Sequence, residues 1–169
     1  MESFDEMLDS FIRLGLAEDV GEGDHTSMAC IRSTRVSKAK LLIKDDGIIS
    51  GVDVAKKIFK EVAAAADFEK LISDGSVVKP GDVAFDVTCP TRALLMAERL
   101  VLNTMQRMSG IATIASLYLQ EIEGLPVKIL DTRKTTPGMR FLEKQAVVHG
   151  GCHNYRAGLY DWIMIKDNH

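Results

Sequence analysis

VKILDTRKTTPGMRFLEKQAVVHG, residues 127–150, is written as strand, loop and helix in succession. The apolar run VKIL stops at Asp131 and Thr132, two adjacent cations follow, and a turn of threonines, proline and glycine leads into a segment, 141–149, with helical character. A second apolar run, WIMI at 162–165, ends in Lys166. Strand, loop, helix and strand in that order predict a β-α-β unit, and parallel α/β folds place their ligands at the carboxyl ends of such strands. In a turn, unlike an extended segment, Arg133 and Lys134 can converge on one polyanion. Arginine offers a planar fork of donors and lysine a mobile point charge, which suits the capture of phosphate or carboxylate groups.

Upstream, Ser3 and Glu6 form a capping-box signature, and Phe4, Met7, Leu8, Phe11 and Ile12 recur at helical spacing, predicting an opening helix to about Gly15. Gly21, Gly23 and Asp24 then impose a loop. In KAKLLIKDDGIISG, Asp46-Gly47 between two apolar arms predicts a β-hairpin. The same stretch superficially resembles the ribose-phosphate loop of type I phosphoribosyltransferases, but Lys44 interrupts the apolar run and the hairpin explains the residues better. Ala55, Ile58, Phe59, Val62, Ala63 and Ala66 mark a helix whose apolar stripe should lie on the sheet. SDGSVVKPGDVAFDVTCP reads as two short strands and a tight turn. After Pro90 a long helix carries Leu94, Ala97, Val101, Thr104, Met105 and Met108 on one face, and Gly110 is expected to bend or break it before 111–122.

The composition, 46% hydrophobic and 27% charged over 169 residues, belongs to a globular chain able to bury a core rather than to a disordered one. The acidic start MESFDEMLDS resembles neither a signal nor a transit peptide, and no apolar run reaches membrane-spanning length. Cys30, Cys89 and Cys152 are odd in number and scattered with no CxxC pair, which fits a reducing cytoplasm and argues against a disulfide framework or a zinc site. The net charge of −3 conceals an asymmetry: from Lys128 onward the chain carries +3, and the part before it −6. The basic end is where an anion would bind. A nucleic-acid surface would bring a basic domain and aromatic platforms, and neither is visible.

Five separated stretches together resemble the quinolinate phosphoribosyltransferases, the type II, decarboxylating enzymes of NAD synthesis. They are EDVGEGDHTS from Glu18, AERLVLNTMQRMSGIAT from Ala97, DTRKTTPGMR from Asp131, EKQAVVHGG from Glu143 and HNYRAGLYDWIMIKDNH from His153. The resemblance implies an α/β fold: an α+β amino-terminal sandwich over 1–112, including the long linking helix, then the first part of an incomplete α/β barrel over 113–169. It further implies that quinolinate and phosphoribosyl pyrophosphate, with Mg²⁺, are converted to nicotinate mononucleotide, pyrophosphate and carbon dioxide by a homodimer or larger assembly of dimers.

Carried over by motif, Lys134, Arg133 and Lys166 are the catalytic candidates. Arg99, Thr132, Tyr155 and Arg156 join them as candidate substrate ligands, with Arg99 expected to reach across the dimer interface. On spacing alone, Arg99, following Glu98, reads more readily as half of a helix-surface ion pair, worth at most about half a kcal/mol. No metal ligand is assigned, and the residues that manage Mg²⁺ are expected beyond residue 169. Tyr155 stands where the family usually has histidine; its hydroxyl can still donate to a carboxylate, but it does not titrate near neutrality.

Family members continue for roughly another hundred residues, and a few barrel strands cannot bury a core alone. The sequence is therefore expected to be a carboxyl-terminally truncated piece, catalytically incompetent by itself. Two rivals share part of the pattern. A molybdenum-transport-associated homologue shares the DVG and TRKT elements, but the ER pair, the Arg156 element and KDNH favour the quinolinate enzyme. A lipoyl-like carrier is suggested by VKPGDVAFDV, yet Lys79 before Pro80-Gly81 is badly placed for a hairpin tip.

Overall fold

The computed structural model describes residues 3–169; Met1 and Glu2, which head the 1–112 domain read from the sequence, lie outside them. The chain opens with α1 (Phe4–Val20), longer by about a turn than its spacing predicts. Its capping box is formed: Ser3 Oγ accepts from the Glu6 amide at 3.3 Å, and the Glu6 carboxylate accepts from the Ser3 amide at 2.7 Å. The short α2 (His25–Cys30) is capped by Asp24, whose carboxylate accepts from the Ser27 amide.

The amino-terminal sheet has the order β1-β5-β3, all antiparallel, from β1 (Val36–Leu42), β3 (Asp67–Lys70) and β5 (Val83–Pro90). Phe85, Val87 and Cys89 of the central strand β5 alternate inward, and α3 (Val52–Val62) lays Ile58 and Phe59 over them. Phe68 and Phe85 sit 4.5 Å apart by ring centroid, with Phe59 at 6.1 Å from each, so the predicted packing of this helix on the sheet holds.

The Asp46-Gly47 hairpin does not form. β2 (Gly47–Ile48) pairs instead with β4 (Val77–Val78) in a second, two-stranded sheet, and β1 pairs with β5 across the whole strand. Gly47 lacks the positive φ that a type I′ turn requires. Tertiary partners outcompete the local turn: the Ile48 amide donates to Thr113 Oγ1 at 2.9 Å, and Ile49 exchanges backbone bonds with Gly75 and Ser76.

Helix α4 (Thr91–Glu121) runs unbroken through Gly110 for 31 residues, where a bend or break was expected. Its buried face, Ala97, Val101, Thr104, Met105, Met108, Ala112 and Ala115, extends the predicted stripe far enough to pack on α3 at one end and α5 (Arg140–His149) at the other. One hydrophobic cluster joins α1, α3, the sheet, α4 and, through Leu142 and Ala146, α5.

The β-α-β unit is present in a different form from the expected one. VKIL makes a single parallel bridge, Leu130 to His153, with Asp131 and His153 donating across it at 3.0 Å. The partner of the first segment is thus the chain just after α5, and WIMI carries no ladder; Ile163 and Ile165 are 94% and 82% exposed. Hydrophobic content favours WIMI, whereas the segment that pairs, around His153, is largely polar, so composition points to the wrong partner.

Candidate functional site

The turn that follows Leu130 is built from its own side chains. Thr132 Oγ1 accepts from the Lys134 amide at 3.1 Å, and the Thr135 amide donates to the Arg133 carbonyl at 3.0 Å, so the chain doubles back at the two cations. Thr136 to Met139 then form a turn closed by Met139 N to Thr136 O at 3.0 Å, with Gly138 at φ +80°. Proline in second place and a left-handed glycine in third are the residues a type II turn requires.

Against this turn lies a hollow of about 230 Å³, walled by Asp131, Thr132, Lys134 and Thr135, by Glu143, Lys144 and Val147 of α5, and by Arg107 and Ile111 of α4. Two of its three cations have carboxylate partners. Arg107 donates through Nε to Glu143 Oε1 at 2.9 Å and places Nη2 at 2.8 Å from the same oxygen, while Glu143 Oε2 accepts from the Thr136 amide at 3.1 Å. Lys144 Nζ lies 2.5 Å from Asp131 Oδ1, with both side chains more than nine-tenths buried. Lys134, by contrast, has no carboxylate within ion-pair reach among the described residues.

Burial would raise the Glu143 carboxyl, but the hydrogen bonds from Thr136 and Arg107 outweigh it and hold the group below its ordinary value. Glu143 is thus an anion at neutral pH that fixes the Arg107 guanidinium at the mouth of the hollow.

Of the residues singled out in the sequence, Thr132 and Lys134 line this hollow. Arg133 is half-buried; its Nε is enclosed without an acceptor among the described residues, and its carbonyl accepts from Arg140 Nη2. Arg156 is buried beside the turn's neighbouring loop, donating through Nε to the Gly158 carbonyl at 3.0 Å. Tyr155 is exposed, with its ring 5.9 Å from that of Trp162, and its amide donates to Asp131 Oδ1 at 2.8 Å. Lys166 is exposed, and its backbone amide donates to His169 Nδ1. Arg99 is exposed on α4, eight residues before Arg107 and so about 12 Å away along the helix. The hollow therefore gathers two of the seven predicted positions, and the other five lie outside its lining.

Sequence reading missed Arg107, Asp131, Glu143 and Lys144 as parts of the site. All four fall within stretches that carried the family resemblance, yet nothing local distinguishes Arg107 or Lys144 from a solvated helix charge. Asp131 was visible only as the residue that ended an apolar run.

The donor set does not suit a protein-held Mg²⁺. Hard cations take several oxygen ligands, whereas both carboxylates at the hollow already face cations, and no group of three metal-binding side chains occurs among the described residues.

Comparisons with known proteins agree with one another. The family model described as "Quinolinate phosphoribosyl transferase, N-terminal domain" matches residues 24–109, and the one described as the C-terminal domain of the same family matches residues 111–169. A quinolinate phosphoribosyltransferase (decarboxylating) 1 from Nicotiana glauca is 45% identical over 163 residues, covering 96% of this chain and 46% of that protein. A probable nicotinate-nucleotide pyrophosphorylase (carboxylating) from Bacillus subtilis is 43% identical over 152 residues, 90% of this chain and 52% of that protein. The crystal structure of NadC from Streptococcus pyogenes superposes with a TM-score of 0.94 at 34% identity, over 100% of this chain and 60% of that one. The chain spans about half the length of the curated relatives it matches.

Proposed function

The chain belongs to the quinolinate phosphoribosyltransferase family, and from that premise we propose that the protein carrying it transfers a phosphoribosyl group from phosphoribosyl pyrophosphate to quinolinate, with loss of carbon dioxide. One observation carries this reading: in the turn after Leu130, Lys134 faces the hollow without a carboxylate and Arg133 encloses an Nε without an acceptor among the described residues, while neighbouring Arg107 and Lys144 each have one. Lys134 is thus the cation of the hollow still open to an anionic ligand, since Arg107 and Lys144 already face carboxylates.

The substrates bring two carboxylates, a 5′-phosphate and a pyrophosphate, so fixed cations at the rim of a hollow match their charge. Lys134 would meet a phosphate or carboxylate directly, with Thr132 holding its backbone; Arg133, Tyr155 and Arg156 would contribute contacts from the adjoining loops. Lys166 and the dimer partner's copy of Arg99 would complete the set. These groups act as clamps whose attraction strengthens as pyrophosphate departs and as negative charge develops at the pyridine carbon losing its carboxylate. No covalent nucleophile is needed. Mg²⁺ would enter bound to the phosphoribosyl substrate.

In this proposal the domains divide at 112/113, and the protein is cytoplasmic and assembles into dimers. Release of labelled carbon dioxide from carboxyl-labelled quinolinate by the full-length protein, dependent on phosphoribosyl pyrophosphate, is the direct test. Lys134→Ala should lower kcat/KM by about 100-fold while leaving the unfolding midpoint unchanged, the loss expected for a charge-assisted contact. Absence of release, or wild-type turnover in the variant, refutes the assignment.

A further inference from the structure

We propose that Asp131 is the positioning residue that holds the loops 131–135 and 153–157 in register, with Lys144 as its buried counter-charge. The inference rests on the functional reading above, because these are the loops that bear Lys134 on one side and Tyr155 and Arg156 on the other.

Asp131 is bonded to the second loop at three points. Its amide donates to the His153 carbonyl at 3.0 Å, and its Oδ1 accepts from the Tyr155 amide at 2.8 Å. With the Asn154 amide turned so that its NH₂ faces the surrounding oxygens, that group donates to Asp131 Oδ2 at 2.6 Å and to the Lys144 carbonyl at 2.8 Å. Lys144 Nζ completes the shell on Oδ1. The carboxylate thus takes donors from the second loop and from α5 at once, and its side chain is only 6% exposed. Both oxygens are engaged, which leaves Asp131 little capacity to hold a ligand itself.

The cation's role follows from the burial. A carboxylate taking backbone and amide donors in a dry site still needs a compensating charge, and Lys144, 9% exposed at its side chain, supplies it from the middle of α5. Lys144 therefore lines the hollow without being an anion trap. Arg140 ties the loops a second time, donating to the Arg133 and Ala157 carbonyls and to Thr135 Oγ1. Asp131 governs the end nearer the strand, Arg140 the end nearer the turn.

Amide hydrogen exchange and kinetics on the full-length protein test this together. Lys144→Met should speed exchange at 132–135 and 154–157 in parallel, by about tenfold or more, with α1 and α3 unaffected. It should raise KM for quinolinate by about tenfold with a smaller change in kcat, and Lys144→Arg should restore most of both. If the methionine variant does not fold, Asp131→Asn, which keeps an acceptor for the Tyr155 amide but removes the charge, is expected to give the same paired loosening. Exchange that rises in one loop alone or in neither, or paired loosening with an unchanged KM, overturns the proposal. A wild-type protein that turns over no quinolinate would sink the functional reading instead, and the exchange pattern would still decide whether Asp131 joins the loops.

Discussion

At the scale of single residues, the hollow is defined by which charges are already spoken for. Glu143 is the clearest case: buried, bonded to Arg107 and Thr136, and held below its ordinary value of 4.5. A carboxyl depressed in the folded state contributes stability that is fully present above the unfolded value and is lost as pH falls through the lower folded one. Glu143→Gln should therefore be less stable than wild type at neutral pH and should lose less on acidification below about pH 4.5. Thermal unfolding across that range checks the point, and parallel pH profiles for the two proteins would contradict it. The same logic shows why the sequence pointed to Lys134 and not to Arg107, although both line the hollow. Adjacent cations before a Thr-Pro-Gly turn form a local pattern, whereas Arg107 acquires meaning only from a carboxylate 36 residues away.

At the scale of elements, helix α3 shows a cap that spacing could not disclose. Its N-cap, Gly51, has no side chain, and the orphan amides of Val52 and Asp53 are met by the carboxylate of Asp74, at 2.8 and 3.2 Å, from the SDGS turn. Asp74→Ala should lower unfolding free energy by about 1 kcal/mol, and Asp74→Asn by less, since one oxygen remains to accept. Urea midpoints at constant slope measure this; equal stability of alanine variant and wild type would exclude the cap. The same turn displaces the predicted hairpin. Once Gly75 and Ser76 bond Ile49, the segment after Asp46 is committed to β4, and the local Asp-Gly preference is overridden.

At the scale of the whole molecule, α4 is the wall shared by the sheet-bearing part and the α5 part. Met108, fully buried midway along it, belongs to the cluster that includes both Val52 and Leu142. Met108→Ala should cost about 2–5 kcal/mol and lower the stability of both parts together, seen as one shifted transition by two probes, one in the sheet and one in α5. Two separated transitions would show that the helix does not couple them. Amphipathic spacing sufficed to reveal this helix, the capping box at Ser3, α3 and α5, because such patterns are local and repeat with the helical period. The turn at Arg133-Lys134 and the family likeness were legible for the same reason: contiguous residues carry them. Strand partners, the continuity of α4 through Gly110, and the pairing of Asp131 with Lys144 and of Glu143 with Arg107 were settled only in three dimensions. Backbone donors choose among competing partners, and buried charges find their counter-ions, across distances that no window of sequence contains.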